Sequence, residues 1–249
     1  MARYLHAPAL RPLALSGPAF WLALALIFSS LSLASAEASE IVVKNDSIPP
    51  TGINLIGTEV GERFAARLTS PIDGNLVGVQ LVWGSINGSA SPSQEAAIRI
   101  SAADGDFFSS DPSVREPGTV LATVVAPTLL DVGLNEFRYL DPNTNLLPLN
   151  VPVAAGEDYY VDLELANIYA ESADSPGLFF DAGPLLGMRS FVMAPSVALF
   201  GWIPTEIPIV GAENLGIRAI IQPVPEPTSL VLMLLGGIGL CFATKRAQR

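Results

Sequence analysis

Two stretches decide the fold: Tyr159-Tyr160-Val161-Asp162-Leu163-Glu164-Leu165 and Val77-Gly78-Val79-Gln80-Leu81-Val82-Trp83. Successive side chains of an extended chain point to opposite faces. In the first stretch Tyr159, Val161, Leu163 and Leu165 therefore share one face, and Tyr160, Asp162 and Glu164 share the other. In the second, Val77, Val79, Leu81 and Trp83 align in the same way. Outward from these two, runs of the same character are Ile41 to Val43, Phe64 to Leu68, Ala96 to Ser101, Thr119 to Val125, Leu134 to Leu140, Leu178 to Asp181, Ser190 to Met193, Val197 to Trp202 and Leu215 to Gln222. Their separators, such as Asp73-Gly74-Asn75, Asn87-Gly88-Ser89, Asp104-Gly105-Asp106, Glu116-Pro117-Gly118 and Ala155-Gly156-Glu157, are turn-forming. No stretch of twelve residues carries a helical stripe. About ten or eleven short strands at this spacing predict an all-β, two-sheet β-sandwich of jelly-roll type, and the lack of a fixed-period repeat argues against a propeller or solenoid.

The chain has 249 residues, and its mean hydropathy of +0.44 is inflated by two apolar ends. Between them, residues 37–223 are enough for one core without disulfide or metal staples. This segment holds 23 acids and 8 bases, and a net charge of about −15 repels phosphate backbones, so nucleic acid is not an expected partner. The only cysteine, Cys241, and the only histidine, His6, both lie in the ends. Residues 37–223 therefore have no means of building a disulfide, a Cys nucleophile, a Ser-His-Asp triad or a His/Cys zinc site. Lys44 is their sole lysine. These exclusions predict a protein that is not an enzyme and has no catalytic residues.

At the front, Arg3 and Arg11 precede the apolar run Phe20 to Leu33, which leads to Ala34-Ser35-Ala36 and the polar Glu37. That layout predicts a signal peptide over residues 1–36, with signal peptidase cutting after Ala36 and the small Ala34 and Ala36 filling its shallow pockets. An uncleaved N-terminal anchor is the competing reading. At the back, Val224-Pro225-Glu226-Pro227 runs into the seventeen residues from Thr228 to Thr244, followed by Lys245-Arg246-Ala247-Gln248-Arg249. As a helix rising about 1.5 Å per residue, that run would span roughly 25 Å, enough for a thin hydrocarbon core. By the positive-inside rule Lys245, Arg246 and Arg249 stay cytoplasmic, which leaves the acidic domain outside and agrees with the signal peptide.

The three-part tail resembles the PEP-CTERM sorting signal of Gram-negative bacteria: Pro225, Glu226 and Pro227 match its motif, Leu230 to Phe242 its transmembrane helix, and Lys245, Arg246 and Arg249 its basic end. The resemblance implies an exosortase with a nucleophilic Cys as processing partner, with this chain as its substrate. It divides the chain into signal peptide (1–36), exported domain (37–223) and sorting signal (224–249). Two prolines around one carboxylate hold an extended backbone suited to an enzyme cleft just outside the membrane. A plain C-terminal membrane anchor is the alternative, and Cys241 then reads as an apolar helix residue or a lipidation site. The order GVQLVWG, AIRISAADGD, EPGTVLATVV and VAAGEDYYVDLEL is also similar to the jelly-roll-like ectodomains of exported PEP-CTERM proteins.

Within the domain, Asp104, Asp106 and Asp111 share one loop, DGDFFSSD, and are candidate calcium ligands weighed against ordinary Asp-Gly turn chemistry. No other cofactor is expected. Asp162 and Glu164 on one strand face could pair as acid and base in glycoside cleavage, with solvated sheet surface as the favoured alternative. Trp83, Tyr160, Tyr169 and Trp202 are candidates for stacking on sugar rings, with Trp83 assigned to the core and with core packing or strand-pairing contacts as the favoured alternative for the other three. The sequence thus predicts an exported, non-enzymatic surface or extracellular-matrix protein. It would cross the inner membrane, be held there by its C-terminal helix until processed, and associate with exopolysaccharide or biofilm. The competing class is a carbohydrate-binding, or less readily carbohydrate-cleaving, module.

Overall fold

The computed structural model describes residues 39–47, 53–55, 57–108, 111–131, 133–170, 172–181, 188–196, 201–205 and 214–224. Every named element among them is a strand: β1 (Ile41–Lys44), β2 (Ile53–Leu55), β3 (Arg63–Thr69), β4 (Gly74–Gly84), β5 (Ser93–Gln94), β6 (Ala97–Ala102), β7 (Val120–Val125) and β8 (Thr128–Leu129). The series continues with β9 (Gly133–Phe137), β10 (Val151–Val153), β11 (Asp158–Glu164), β12 (Gly177–Asp181), β13 (Ser190–Met193), β14 (Ile203–Pro204), β15 (Asn214–Leu215) and β16 (Ile217–Pro223). Among the described residues no helix is long and apolar enough to cross a membrane. The expected signal peptide and C-terminal helix lie outside the described residues.

One antiparallel sheet runs β1-β16-β4-β12-β15, with β9 and β10 also pairing β4 and β2 pairing β12. A second runs β14-β13-β3-β11-β6-β7, and β5 with β8 makes a short ribbon. The two large sheets share one core, in which Leu76, Val79, Leu81 and Trp83 of β4 and Ile217, Ala219 and Ile221 of β16 meet Tyr159, Val161 and Leu163 of β11 and Ile98 and Ile100 of β6. Each of these is buried, and burying one large apolar side chain contributes about 1.5–3 kcal/mol. The expected all-β layering of two sheets is present, and Tyr159, Val161, Leu163 and Leu165 all face inward as the alternation requires.

Val77 departs from its expected face. β4 and β16 pair Val79 with Ala219 and Gly78 with Ile220, but then Leu76 with Ile221, so Val77 is the extra residue of a bulge. A bulge reverses the alternation beyond it: Leu76 enters the core and Val77 is left half-buried. Beside the bulge, Gly78 leaves room for its neighbours, since a Cβ there would come within 2.9 Å of the Arg138 side chain and 3.0 Å of Ile220. Other expected runs shift at their ends. β9 stops at Phe137, and Tyr139 holds only an isolated bridge to Pro148. Of Val197 to Trp202, residues 197–200 lie outside the described residues, and Trp202 belongs to no strand.

Candidate functional site

The outer face of the six-stranded sheet carries a second set of buried groups. With Phe64, Ala66 and Leu68 of β3 turned inward, alternation turns Arg63, Ala65 and Arg67 outward, and it does the same for Arg99 of β6 and for Asp158, Tyr160, Asp162 and Glu164 of β11. Arg63 and Arg67 are four residues apart, as are Asp158 and Asp162, and β3 and β11 are hydrogen-bonded neighbours. The charges consequently meet. Arg63 donates through Nε and Nη2 to the two carboxylate oxygens of Asp162 at 2.8 and 2.7 Å. Arg99 Nη1 lies 3.6 Å from Asp162 and pairs with Glu164. Arg67 and Arg189 lie 3.7 and 3.8 Å from Asp158. Four of the eight bases in residues 37–223 thus sit on one sheet face.

An aromatic cluster packs beside these ions and covers part of them. Phe108, Val114, Tyr160, Phe191 and Trp202 form a small core of their own with Ala65. Phe108 stacks on Phe191 at 4.8 Å, Tyr160 meets Phe191 edge-on at 5.6 Å, and the Arg63 guanidinium lies 4.7 Å from the Trp202 ring centre. The Tyr160 hydroxyl donates to the Arg115 carbonyl, and burial pushes its ionisation well upward. Burial also pushes the Asp162 carboxyl up, against the hydrogen bonds from Arg63 and the nearby Arg99 charge. The expectation of a solvated surface at Asp162 is corrected, since its side chain is 0% exposed. Both Asp162 oxygens are taken by Arg63, and Arg99 reaches Glu164 as well, so Asp162 fastens strands together while Glu164 remains half-buried.

The three loop aspartates do not converge. Asp104 accepts the Thr119 backbone N–H at 2.6 Å and its hydroxyl at 2.7 Å, and these bonds hold its carboxyl below the usual range. Asp111 likewise accepts the backbone N–H and hydroxyl of Ser113 at 2.9 and 2.6 Å. Asp106 contributes its backbone carbonyl to the Glu116 N–H at 2.8 Å. Among the described residues no group of three or more His, Cys, Asp or Glu side chains is placed to hold a metal ion.

Nor do the four aromatic candidates form an exposed platform. Trp83 fills the main core, Tyr160 and Trp202 belong to the outer cluster, and Tyr169 packs edge-on against Trp83 at 5.9 Å while its hydroxyl donates to the buried Glu95. A ring that does reach solvent is that of Phe107, 52% exposed, with the Arg115 guanidinium 3.9 Å from its centre. It borders a cavity of about 230 Å³ lined also by Arg67, Asp104, Ser113 and Asp158. Sequence reasoning passed over it because Phe107-Phe108 sits within an acidic turn. Of this adjacent pair, Phe108 is buried and Phe107 is exposed.

The last strand of the domain, β16, runs to Pro223, and the exposed Val224 follows. Here the folded body meets the residues of the predicted tail. Residues 223–247 match the family model for the PEP-CTERM protein-sorting motif. The chain carries a PEP-CTERM sorting signal. The match includes Pro225, Glu226, Pro227, Lys245 and Arg246, and Arg249 follows it. These residues, like Ala34 and Ala36, lie outside the described residues. The signal implies an exported protein directed to an exosortase and bound for the cell envelope or surface. No curated protein matches the chain.

Proposed function

We propose that residues 37–223 form a non-enzymatic, jelly-roll-like surface or matrix module, delivered by its sorting signal and associated with exopolysaccharide. The observation that carries this reading is the position of the PEP-CTERM match, which begins at the residue where β16 ends. Processing at Pro225 to Pro227 would cut beyond the last strand, and every pairing of both sheets would survive it. The buried carboxylates support a scaffold role. Asp162 is tied to Arg63, and Asp46, 0% exposed, to Arg218 at 2.5 Å, so these groups are committed to fastening strands. Signal peptidase and exosortase are the partners in maturation, and the C-terminal helix holds the chain in the inner membrane until then.

The test is intact-mass analysis of protein recovered from native envelope and medium, with and without the exosortase. A species from Glu37 to the Pro225–Pro227 motif, found only when the exosortase is present, is the expected result. A species retaining Arg249 in both strains would make the tail a plain anchor.

A second reading, carbohydrate binding, is favoured by one observation. Exposed Phe107, backed by Arg115, borders a cavity large enough for a single sugar ring and lined by charged and hydroxyl groups. Saturable binding on a glycan array that is lost on Phe107→Ala would support it, and an unchanged Phe107→Ala profile would count against it.

A further inference from the structure

A groove of about 710 Å³, the volume of a small-ligand site, lies at β5. Ser91, Ser93 and Gln94 line it from the β5 segment, and Asn167, Tyr169 and Asp174 from the segment between β11 and β12. No lysine or arginine is among its lining residues. Behind that lining is Glu95, only 1% exposed. The buried Asp162 and Asp46 are each ion-paired to an arginine, whereas among the described residues Glu95 has hydrogen bonds and no ion pair. A buried carboxylate without a counter-ion is costly, and its partners show what it holds in place.

Those partners are donors of the groove itself. Ala166 donates its N–H to Glu95 at 2.9 Å, and the Tyr169 hydroxyl donates to the same carboxylate. Asn167 Nδ2 donates to Glu95 at 3.4 Å and to the Gln94 carbonyl at 2.9 Å. Burial pushes the Tyr169 phenol up to about 12, so its proton stays in place. Asp174 accepts Asn87 Nδ2 and Ser89 Oγ, both at 2.8 Å, on Oδ1. A phenol has one proton to give, and an amide whose nitrogen is engaged offers its oxygen. The groove therefore turns acceptors toward a ligand, Asn167 Oδ1 and Asp174 Oδ2, beside serine hydroxyls that serve either way. Phosphates and uronates find no cation there, while a positively charged ligand rich in donors finds two carboxylates.

We propose that this groove binds an amino-sugar unit of a polysaccharide, its ammonium on the Asp174 carboxylate and a hydroxyl donating to Asn167. The site rests on the exopolysaccharide association proposed above and gives that partner a chemical class, a glycan with free amines. The whole domain favours the same class, since 23 acids against 8 bases attract a cationic polymer and repel an anionic one. N-acetylation would remove the charge, so the free amine is the group that discriminates. The groove shares no lining residue with the Phe107 cavity, whose Arg67 and Arg115 would oppose an ammonium.

The test measures binding of the exported protein, recovered from its native envelope, to short chitosan oligosaccharides at about 0.15 M salt, where charges farther than about 8 Å are screened. Chitin oligosaccharides of equal length, dextran, alginate and oligolysine of equal charge are the comparisons. Saturable binding of chitosan is expected, with each comparison at least about tenfold weaker. Asp174→Asn should weaken chitosan binding at least about tenfold by removing a charge-assisted hydrogen bond, whereas Asp106→Asn, the same charge change elsewhere, should alter it less than about twofold. Because Asp174→Asn also touches the Asn87 and Ser89 contacts, Ser91→Trp is the second variant: it fills the groove, leaves those bonds intact, and should abolish binding at an unchanged melting temperature. Chitosan binding that survives Ser91→Trp, or that is lost on Phe107→Ala instead, would overturn this site and leave the polysaccharide association standing. Oligolysine or chitin bound as tightly as chitosan would overturn the amino-sugar assignment. Binding to none of the four polysaccharides would overturn the site and the association together.

Discussion

At the middle of β11 the two faces of the strand are both buried, by opposite means. Inward, Tyr159, Val161 and Leu163 join the apolar core between the sheets. Outward, Tyr160 and Asp162 are equally inaccessible, but there burial is achieved by arginines and a roof of Phe108, Phe191 and Trp202. An apolar face is indifferent to which neighbour it meets, whereas an ionic face is stable only with its own partners in place. The inner face should therefore respond to lost volume and the outer face to a lost partner.

The largest expected effect is on the inner face. Leu163→Ala removes a fully buried side chain and should cost about 3–5 kcal/mol in denaturant unfolding. Next comes Asp162→Ala, expected to cost about 3 kcal/mol because Arg63 and Arg99 lose their shared carboxylate. The sharper version replaces both partners: Arg63→Met with Asp162→Leu should recover stability to within about 1 kcal/mol of wild type. A double variant as unstable as Asp162→Ala would show that volume, not charge pairing, governs this face too.

Two adjacent tyrosines refine the contrast. The Tyr160 hydroxyl is bonded to the Arg115 carbonyl, whereas the buried Tyr159 hydroxyl has no hydrogen-bond partner among the described residues. Tyr160→Phe should lose about 1 kcal/mol, while Tyr159→Phe should be neutral or gain up to about 1 kcal/mol. Opposite signs at neighbouring positions would be the clearest signature of the two environments.

The smallest effect concerns a carboxylate off both faces. Burial alone would raise the Asp131 carboxyl, but hydrogen bonds from Ser85 N–H and Oγ and from Ala90 N–H, at 2.6, 2.7 and 2.6 Å, outweigh it and hold the group below the usual range. A carboxyl lowered by folding stabilises above its unfolded value of about 3.8 and loses that contribution as pH falls through the lower folded value. Asp131→Asn should therefore cost about 1 kcal/mol at pH 7, the figure allowing for solvent screening, and progressively less below about pH 4. A deficit that stays constant with pH would trace the loss to packing instead of ionisation.

Much of this was legible in the sequence, in ways that follow from its physics. Alternation in Tyr159 to Leu165 assigned each side chain to its face correctly, because a period of two is a local property of extended backbone. It did not reveal that both faces are covered, since the roof comes from Phe108, Phe191 and Trp202, all distant in sequence. One signal was available: Arg63 and Arg67 share the four-residue spacing of Asp158 and Asp162, which marks two strands that can pair their charges. Val77 was misplaced because a bulge depends on the neighbouring strand, here Ile220 and Ile221. β10 was passed over because Pro152 reads as a breaker, although a short strand flanking a sheet tolerates it. In the tail the sorting motif was legible because Pro-Glu-Pro, an apolar run and terminal bases are adjacent in the chain itself.

The pairing of β1 with β16, Ile41 opposite Ile221, sets the timetable of assembly. The first strand of the domain must wait for the last, across nearly the whole length of the exported chain, and closing so long a loop is slow. While the polypeptide is threading outward, β4 also lacks its most extensively paired neighbour, because that neighbour is β16 too. The eight-stranded sheet is completed only when Pro223 has emerged, at the threshold of the sorting signal.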